Sequence, residues 1–186
     1  MEREENIKRL IQNLEDDDEY VQLQISELLE EIGEPAVEDL IQALDNKNSN
    51  VRKISALTLG KIGDPRAIKP LLKTMDDSNK WVRRHASGAL GNMGESAVEP
   101  LVNSLKNDNW RVRGGSAWAL GKIKSKDATD PLINVLDDDS GFVRSGAAWA
   151  LGELGDKKAI EPLNKCTNDK SGFVQKVAKA SLTKLQ

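Results

Sequence analysis

The sequence predicts an all-α chain assembled from tandem helix pairs, and three observations carry that expectation. The chain repeats itself. "VRKISALTLGKIG" from residue 51, "VRRHASGALGNMG" from 82, "VRGGSAWALGKIK" from 112 and "VRSGAAWALGELG" from 143 share one frame, with weaker copies from 21 and 174. Val21, Val51, Val82, Val112, Val143 and Val174 therefore lie 30 or 31 residues apart. Counting each valine as zero, apolar residues fall at 0, 4, 7, 8 and 11. At about 100° per residue these positions gather into one arc of a helix, where a strand would alternate. The third observation is proline: a second module, "DPRAIKPLLKTM" from 64 and its copies from 95, 126 and 156, places Pro70, Pro100, Pro131 and Pro162 shortly after its start. A first-turn proline lacks only an N–H that has no helical partner.

Taken along the chain, "ENIKRLIQNLED" reads as a second-type helix without its partner, a capping helix over about residues 3–15. Helix pairs then begin near 20, 50, 81, 111 and 142, and a last helix over about 173–185 closes a single repeat domain spanning 1–186. That makes about twelve helices. The Asp, Asn and Ser clusters at 76–79, 107–109 and 137–140 supply turn and N-cap chemistry before the next first helix. Frame position 9 is Gly60, Gly91, Gly121 and Gly152, and position 5 is Ala56, Ser87, Ala117 and Ala148. Small residues on one flank admit the equivalent helix of the next repeat, and its packing offsets their poor helix propensity. The last copy carries Lys179 and Thr183 there, as a solvated end requires. Glu30 in the first copy fits this scheme poorly.

Composition narrows the function classes. The chain of 186 residues is 31% charged, with a formal net charge of -3, which gives no global attraction to nucleic acid. A single cysteine, Cys166, excludes an internal disulfide framework and suits a reducing compartment, so the cytoplasm is expected. No segment approaches the roughly 18 apolar residues of a membrane span, and the charged "MEREENIKRL" lacks the apolar core of a signal peptide.

The "VR..AA.ALG.IGD..A...L" pattern resembles the HEAT-like repeats of the phycobilisome-lyase type over nearly the whole chain. That resemblance implies a right-handed α-solenoid of stacked helix pairs whose "VR" helices line the concave surface. It also implies that Arg52, Arg83, Arg113 and Arg144 pair with acidic residues of neighbouring loops as a structural ladder, a pattern that Gln22 and Gln175 break at the ends.

Positions -1, 3, 6 and 10 form a stripe opposite the buried arc. Position 6 holds Trp118 and Trp149, and position -1 holds Tyr20, Trp81, Phe142 and Phe173. Trp110, at -2, sits off the stripe, so its direction is open. Gly114 and Gly115, with Ser145 and Gly146, occupy positions 2 and 3, and Gly88 replaces tryptophan at position 6 one repeat earlier. Large flat side chains beside bare backbone suggest an aromatic groove. Its alternative is that Trp118 and Trp149 pack on each other or on neighbouring helices and stiffen the stack. Lys53, Lys61, Arg84 and Lys122 on this side favour a ligand with some negative charge, while Glu27, Glu31 and Glu153 oppose it toward the ends.

Catalysis fares worse. Deoxyhypusine hydroxylases of the same repeat class bind a di-iron centre through several His-Glu pairs, whereas this chain has one histidine, His85, followed by Ala86. Cys166 stands where other repeats carry Thr74 or Val135, as filler rather than nucleophile. The acidic runs at 15–19 and 137–139 fall in turns without EF-hand spacing, so no metal site and no cofactor are expected. The expected function is a non-enzymatic scaffold, monomeric, binding a protein or peptide through Trp81, Arg84, His85, Trp118, Phe142 and Trp149, with Gly114, Gly115 and Gly146 as the floor. The alternatives are a bilin-lyase-like pigment-handling subunit and, less favoured, a HEAT-like DNA-repair protein, which would need a basic groove.

Overall fold

The computed structural model describes residues 2–185, and among them it contains α-helices and 3₁₀ turns but no strand. The helices are α1 (Glu2–Gln12), α2 (Glu19–Ile32), α3 (Val37–Ala43), α4 (Ser49–Ile62), α5 (Ile68–Thr74), α6 (Lys80–Asn92), α7 (Val98–Ser104), α8 (Trp110–Ile123), α9 (Thr129–Asn134), α10 (Gly141–Leu154), α11 (Ile160–Cys166) and α12 (Gly172–Leu185). The even-numbered ones are the "VR" helices. None of these helices is long and apolar enough to cross a membrane.

The second modules differ from the expectation in one respect. Each opens with a 3₁₀ turn, such as Pro65–Ala67 or Lys157–Ala159, and only then becomes a short α-helix. Pro70, Pro100, Pro131 and Pro162 are each the third residue of that α-helix, still inside the turn whose N–H groups have no intrahelical acceptor.

Boundaries follow from side-chain capping. Asp18, Asn48, Asn79 and Asn109 accept hydrogen bonds from the N–H two residues ahead, at 2.8–2.9 Å, and so start α2, α4, α6 and α8. Gly33, Gly63 and Gly155 end their helices at positive φ, and Lys124 takes the same conformation at φ 63° where "GKIK" lacks the glycine.

Leucines make the core of each unit, all without solvent exposure: Leu29, Leu59 and Leu90 from the first helices with Leu40 and Leu71 from the second up to residue 93, and Leu120 and Leu151 with Leu101, Leu132 and Leu163 beyond it. The chain forms two compact units, Met1–Met93 and Gly94–Gln186. Within the first, a Cβ built on Gly60 would lie 2.4 Å from the Cα of Ala89; within the second, Cβ atoms on Gly121 and Gly152 would lie 2.8 and 2.9 Å from the Cα atoms of Ala150 and Ser181. Position 9 of one repeat thus receives position 7 of the next. Leu28 holds position 7 in the first repeat, where no earlier "VR" helix is described, and it is 48% exposed although its frame position predicts burial.

Candidate partner-binding face

In the first unit the Asn79 cap starts α6 just ahead of Trp81, which stands 49% exposed. The Lys80 Nζ lies 5.1 Å from the Trp81 ring centroid and the Arg84 Cζ 5.8 Å, both within cation–π range. His85 is half-buried one residue on. Burial disfavours its imidazolium, and the nearby charges of Lys53 and Arg84 repel it further, so its pKa falls below the ordinary 6.5 and the ring is neutral at pH 7.

In the second unit the aromatic side chains meet one another. Trp110 opens α8 and packs edge-to-face with Phe142 of α10, centroids 5.6 Å apart at 77°, while the Arg111 Cζ lies 5.5 Å from the Trp110 ring. Trp118 and Trp149, at the same frame position of successive repeats, stack with centroids 4.0 Å apart at 25°. Trp149 is half-buried, yet Trp110, Trp118 and Phe142 keep 44%, 43% and 46% of their surface exposed. Stacking and exposure coexist.

The glycines correct one expectation. Gly114 and Gly146 are no open floor, because rings from the neighbouring helix already lie on them. A Cβ on Gly114 would meet Cδ1 and Cε1 of Phe142 at 2.3 Å, and one on Gly146 would meet the Trp118 Cδ1 at 3.3 Å. A Cβ on Gly121 would likewise meet the Trp149 Cζ3 at 2.5 Å. Helices α8 and α10 approach so closely that Gly114, Gly121 and Gly146 become sockets for rings. Gly115 is half-buried. The sequence left the direction of Trp110 open, and only the position of Phe142 settles it; the contributions of Lys80 and Arg111 went unread, since flexible cations beside aromatics leave no periodic signal.

Several charges on this side are internally engaged. Lys61 pairs with Glu30 at 3.0 Å, and Glu153 pairs with Lys124 at 3.1 Å and with Lys184. The "VR" arginines turn away from the stripe. Arg52, Arg113 and Arg144 each make a two-pronged pair with an aspartate 25 residues ahead, Asp77, Asp138 and Asp169, at 2.7–3.0 Å. Their Nη1 atoms also donate to two carbonyls of the preceding turn, as Arg83 does to Asp77 and Ser78. Gln22 and Gln175 keep only the carbonyl contact, to Asp16 and Asp169. Burial pushes the Cys166 thiol above its ordinary 9.0, and the charges of Asp169 and Asp137 act the same way, so it stays protonated. No cluster of three or more His, Cys, Asp or Glu side chains suited to a metal ion occurs among the described residues.

Comparison with known proteins places this geometry. No curated protein sequence matches the chain significantly. A family model for HEAT repeats matches residues 7–91, 68–145 and 98–183. A chain in the complex of CpcE and CpcF of phycocyanin lyase from Nostoc sp. PCC7120 is 26% identical over 81% of this chain, with a TM-score of 0.62; the match spans 65% of that chain's length. A designed armadillo repeat protein in complex with the peptide (KR)4 shares the fold at 22% identity and a TM-score of 0.53, covering 97% of this chain and 99% of that one. Human deoxyhypusine hydroxylase shares it at 18% identity and a TM-score of 0.50, covering 96% and 84%. With three overlapping matches reaching from residue 7 to residue 183 and a helix-pair solenoid fold throughout, the chain belongs to the HEAT-repeat family.

Proposed function

We propose that this chain is a non-enzymatic interaction scaffold that acts as a monomer in the cytoplasm and holds a protein or peptide on the aromatic face of its "VR" helices. Trp81, Arg84 and His85 serve in the first unit, and Trp118, Phe142 and Trp149, with Gly114, Gly115 and Gly146 beneath them, in the second. One observation carries the reading: Trp81, Trp110, Trp118 and Phe142 each leave close to half their surface in water on helices whose opposite arc fills the core. Covering half of such a ring is worth about 2–3 kcal/mol before ordering costs, at about 25 cal/mol per Å². The charges acting on His85 among the described residues are those of the cations Lys53 and Arg84, which do not orient it as a carboxylate orients a general base.

Pigment handling is the second reading, favoured by the likeness to the phycocyanin lyase complex. The stacked pair Trp118–Trp149 offers a flat apolar surface to a conjugated ring system. One experiment separates them: recovery of partners from native extract by the wild-type chain and by a Trp118→Ala, Trp149→Ala double variant, with an absorbance spectrum of the purified protein. The scaffold reading expects a protein that the wild type retains and the double variant loses. Equal recovery rejects the aromatic face, and a visible absorbance band that the double variant lacks favours pigment handling.

A further inference from the structure

We infer that the cationic corner of the first unit, where Lys80 and Arg84 of α6 flank the Trp81 ring and Lys53 of α4 comes from the helix packed against α6, seats an acidic peptide segment: a carboxylate against Lys53 and Arg84, and an adjacent apolar side chain against the indole. The inference rests on the scaffold reading and names the chemistry of its partner. Most cations described above have an anion close by: Arg52 has Asp77, Lys61 has Glu30, Arg113 has Asp138 and Arg144 has Asp169. Among the described residues, Lys53, Lys80 and Arg84 form no ion pair, and what Lys80 and Arg84 approach is the Trp81 ring. Helices α4 and α6 pack closely, a Cβ built on Gly60 meeting the Cα of Ala89 at 2.4 Å, and the charges of Lys53 and Arg84, from successive repeats, both act on His85. Like charges gathered without a counter-ion raise the energy of the unbound state, and an anion relieves it.

The shape of the corner selects a carboxylate. A guanidinium beside an indole keeps its in-plane N–H groups available for a two-pronged contact, and an ammonium alongside supplies a point charge. A nucleic acid fits less well. Its charges recur about every 3.4 Å along each strand, whereas this patch is local and the same stripe of α2 presents exposed Glu27 and Glu31.

The test measures binding of the full chain to three fluorescein-labelled probes: a peptide alternating Glu and Asp with Leu and Phe, its amide analogue with Gln and Asn replacing the acids, and a single-stranded oligothymidylate. We expect the acidic peptide to bind at least about tenfold more tightly than the amide analogue, and to lose about tenfold in a Lys53→Gln, Arg84→Gln variant whose melting temperature is unchanged. A Lys53→Glu, Arg84→Glu variant should then prefer a Lys-containing version of the same peptide. Equal affinity for the acidic and amide peptides, tighter binding of the oligothymidylate, or an unaffected glutamine variant each overturns the inference. Partners from extract that Trp118→Ala, Trp149→Ala loses and Lys53→Gln, Arg84→Gln keeps overturn it while leaving the scaffold reading intact. Failure of every variant and the wild type to retain any partner overturns the scaffold reading instead.

Discussion

The seam between α2 and α4 and the seam between α8 and α10 occupy the same frame positions and are built from opposite chemistry. In the first, Ser26 and Thr58 share a buried hydroxyl–hydroxyl hydrogen bond of 2.8 Å, Thr58 also donates to the Ile54 carbonyl, and position 9 is Glu30, which reaches out to Lys61. In the second, position 9 is Gly121, tight against Ala150 and the Trp149 ring, while Phe142 covers Gly114 and Trp118 covers Gly146. The difference teaches what the repeat frame specifies. It sets which residues face the neighbouring helix, while the side chains present decide whether that contact is a polar bridge or an aromatic layer over bare backbone.

Frame position 1 gives the largest test of that contrast. Arg144 and Asp169 are nearly buried and paired on both prongs, so Arg144→Ala strands a buried carboxylate and should cost about 3–5 kcal/mol in chemical denaturation. Gln22→Ala, at the same position of the first repeat, removes one amide–carbonyl contact and should cost about 1 kcal/mol. The pair also predicts a pH signature. Arg144 hydrogen bonds hold the Asp169 carboxyl below its ordinary 3.8; at Asp77 and Asp138 burial is the largest single influence and pushes upward, and it is outweighed only by the sum of the Arg52 or Arg113 hydrogen bonds, the N–H groups of Asn79 or Ser140 and the nearby arginine charges. Such lowered carboxylates stabilise the fold fully above the ordinary aspartate range, and that contribution disappears as pH falls through their folded values. Wild-type stability should therefore drop steeply below about pH 4, and less steeply in Arg144→Ala.

Position 9 comes next in size. Gly121→Ala drives a Cβ into the Ala150 backbone and the Trp149 ring, and should cost about 1–3 kcal/mol despite alanine's better helix propensity. Glu30→Ala, its counterpart, breaks only a partly exposed ion pair and should change stability by less than about 1 kcal/mol. Equal losses in thermal melts would show that the two seams pack alike. The smallest effect reverses sign: a Cβ on Gly88 meets nothing within 4 Å, so Gly88→Ala should raise stability by about 0.5–1 kcal/mol.

Much of this architecture is readable in advance because helices repeat their contents. The spacing of Val51, Val82, Val112 and Val143 gives the phase of every "VR" helix, and the glycines at position 9 reveal where neighbours approach. The candidate face is less legible. Gly114 and Gly146 look like vacant floor in the sequence, since a missing side chain reads the same whether solvent or a Phe142 ring fills the space. Leu28 satisfies the apolar pattern and is nevertheless exposed, because burial depends on a neighbour that its own helix does not encode.

By itself the order of residues determined the period, the helix class, the caps and the buried arc, all of which depend on contacts within a few residues of chain. Tertiary structure alone decided which rings stack, which glycines are covered and which cations form no ion pair among the described residues. Those outcomes are set by distances between helices some 30 residues apart, and a residue's periodic position carries its direction around the helix axis but not how far away the next axis lies.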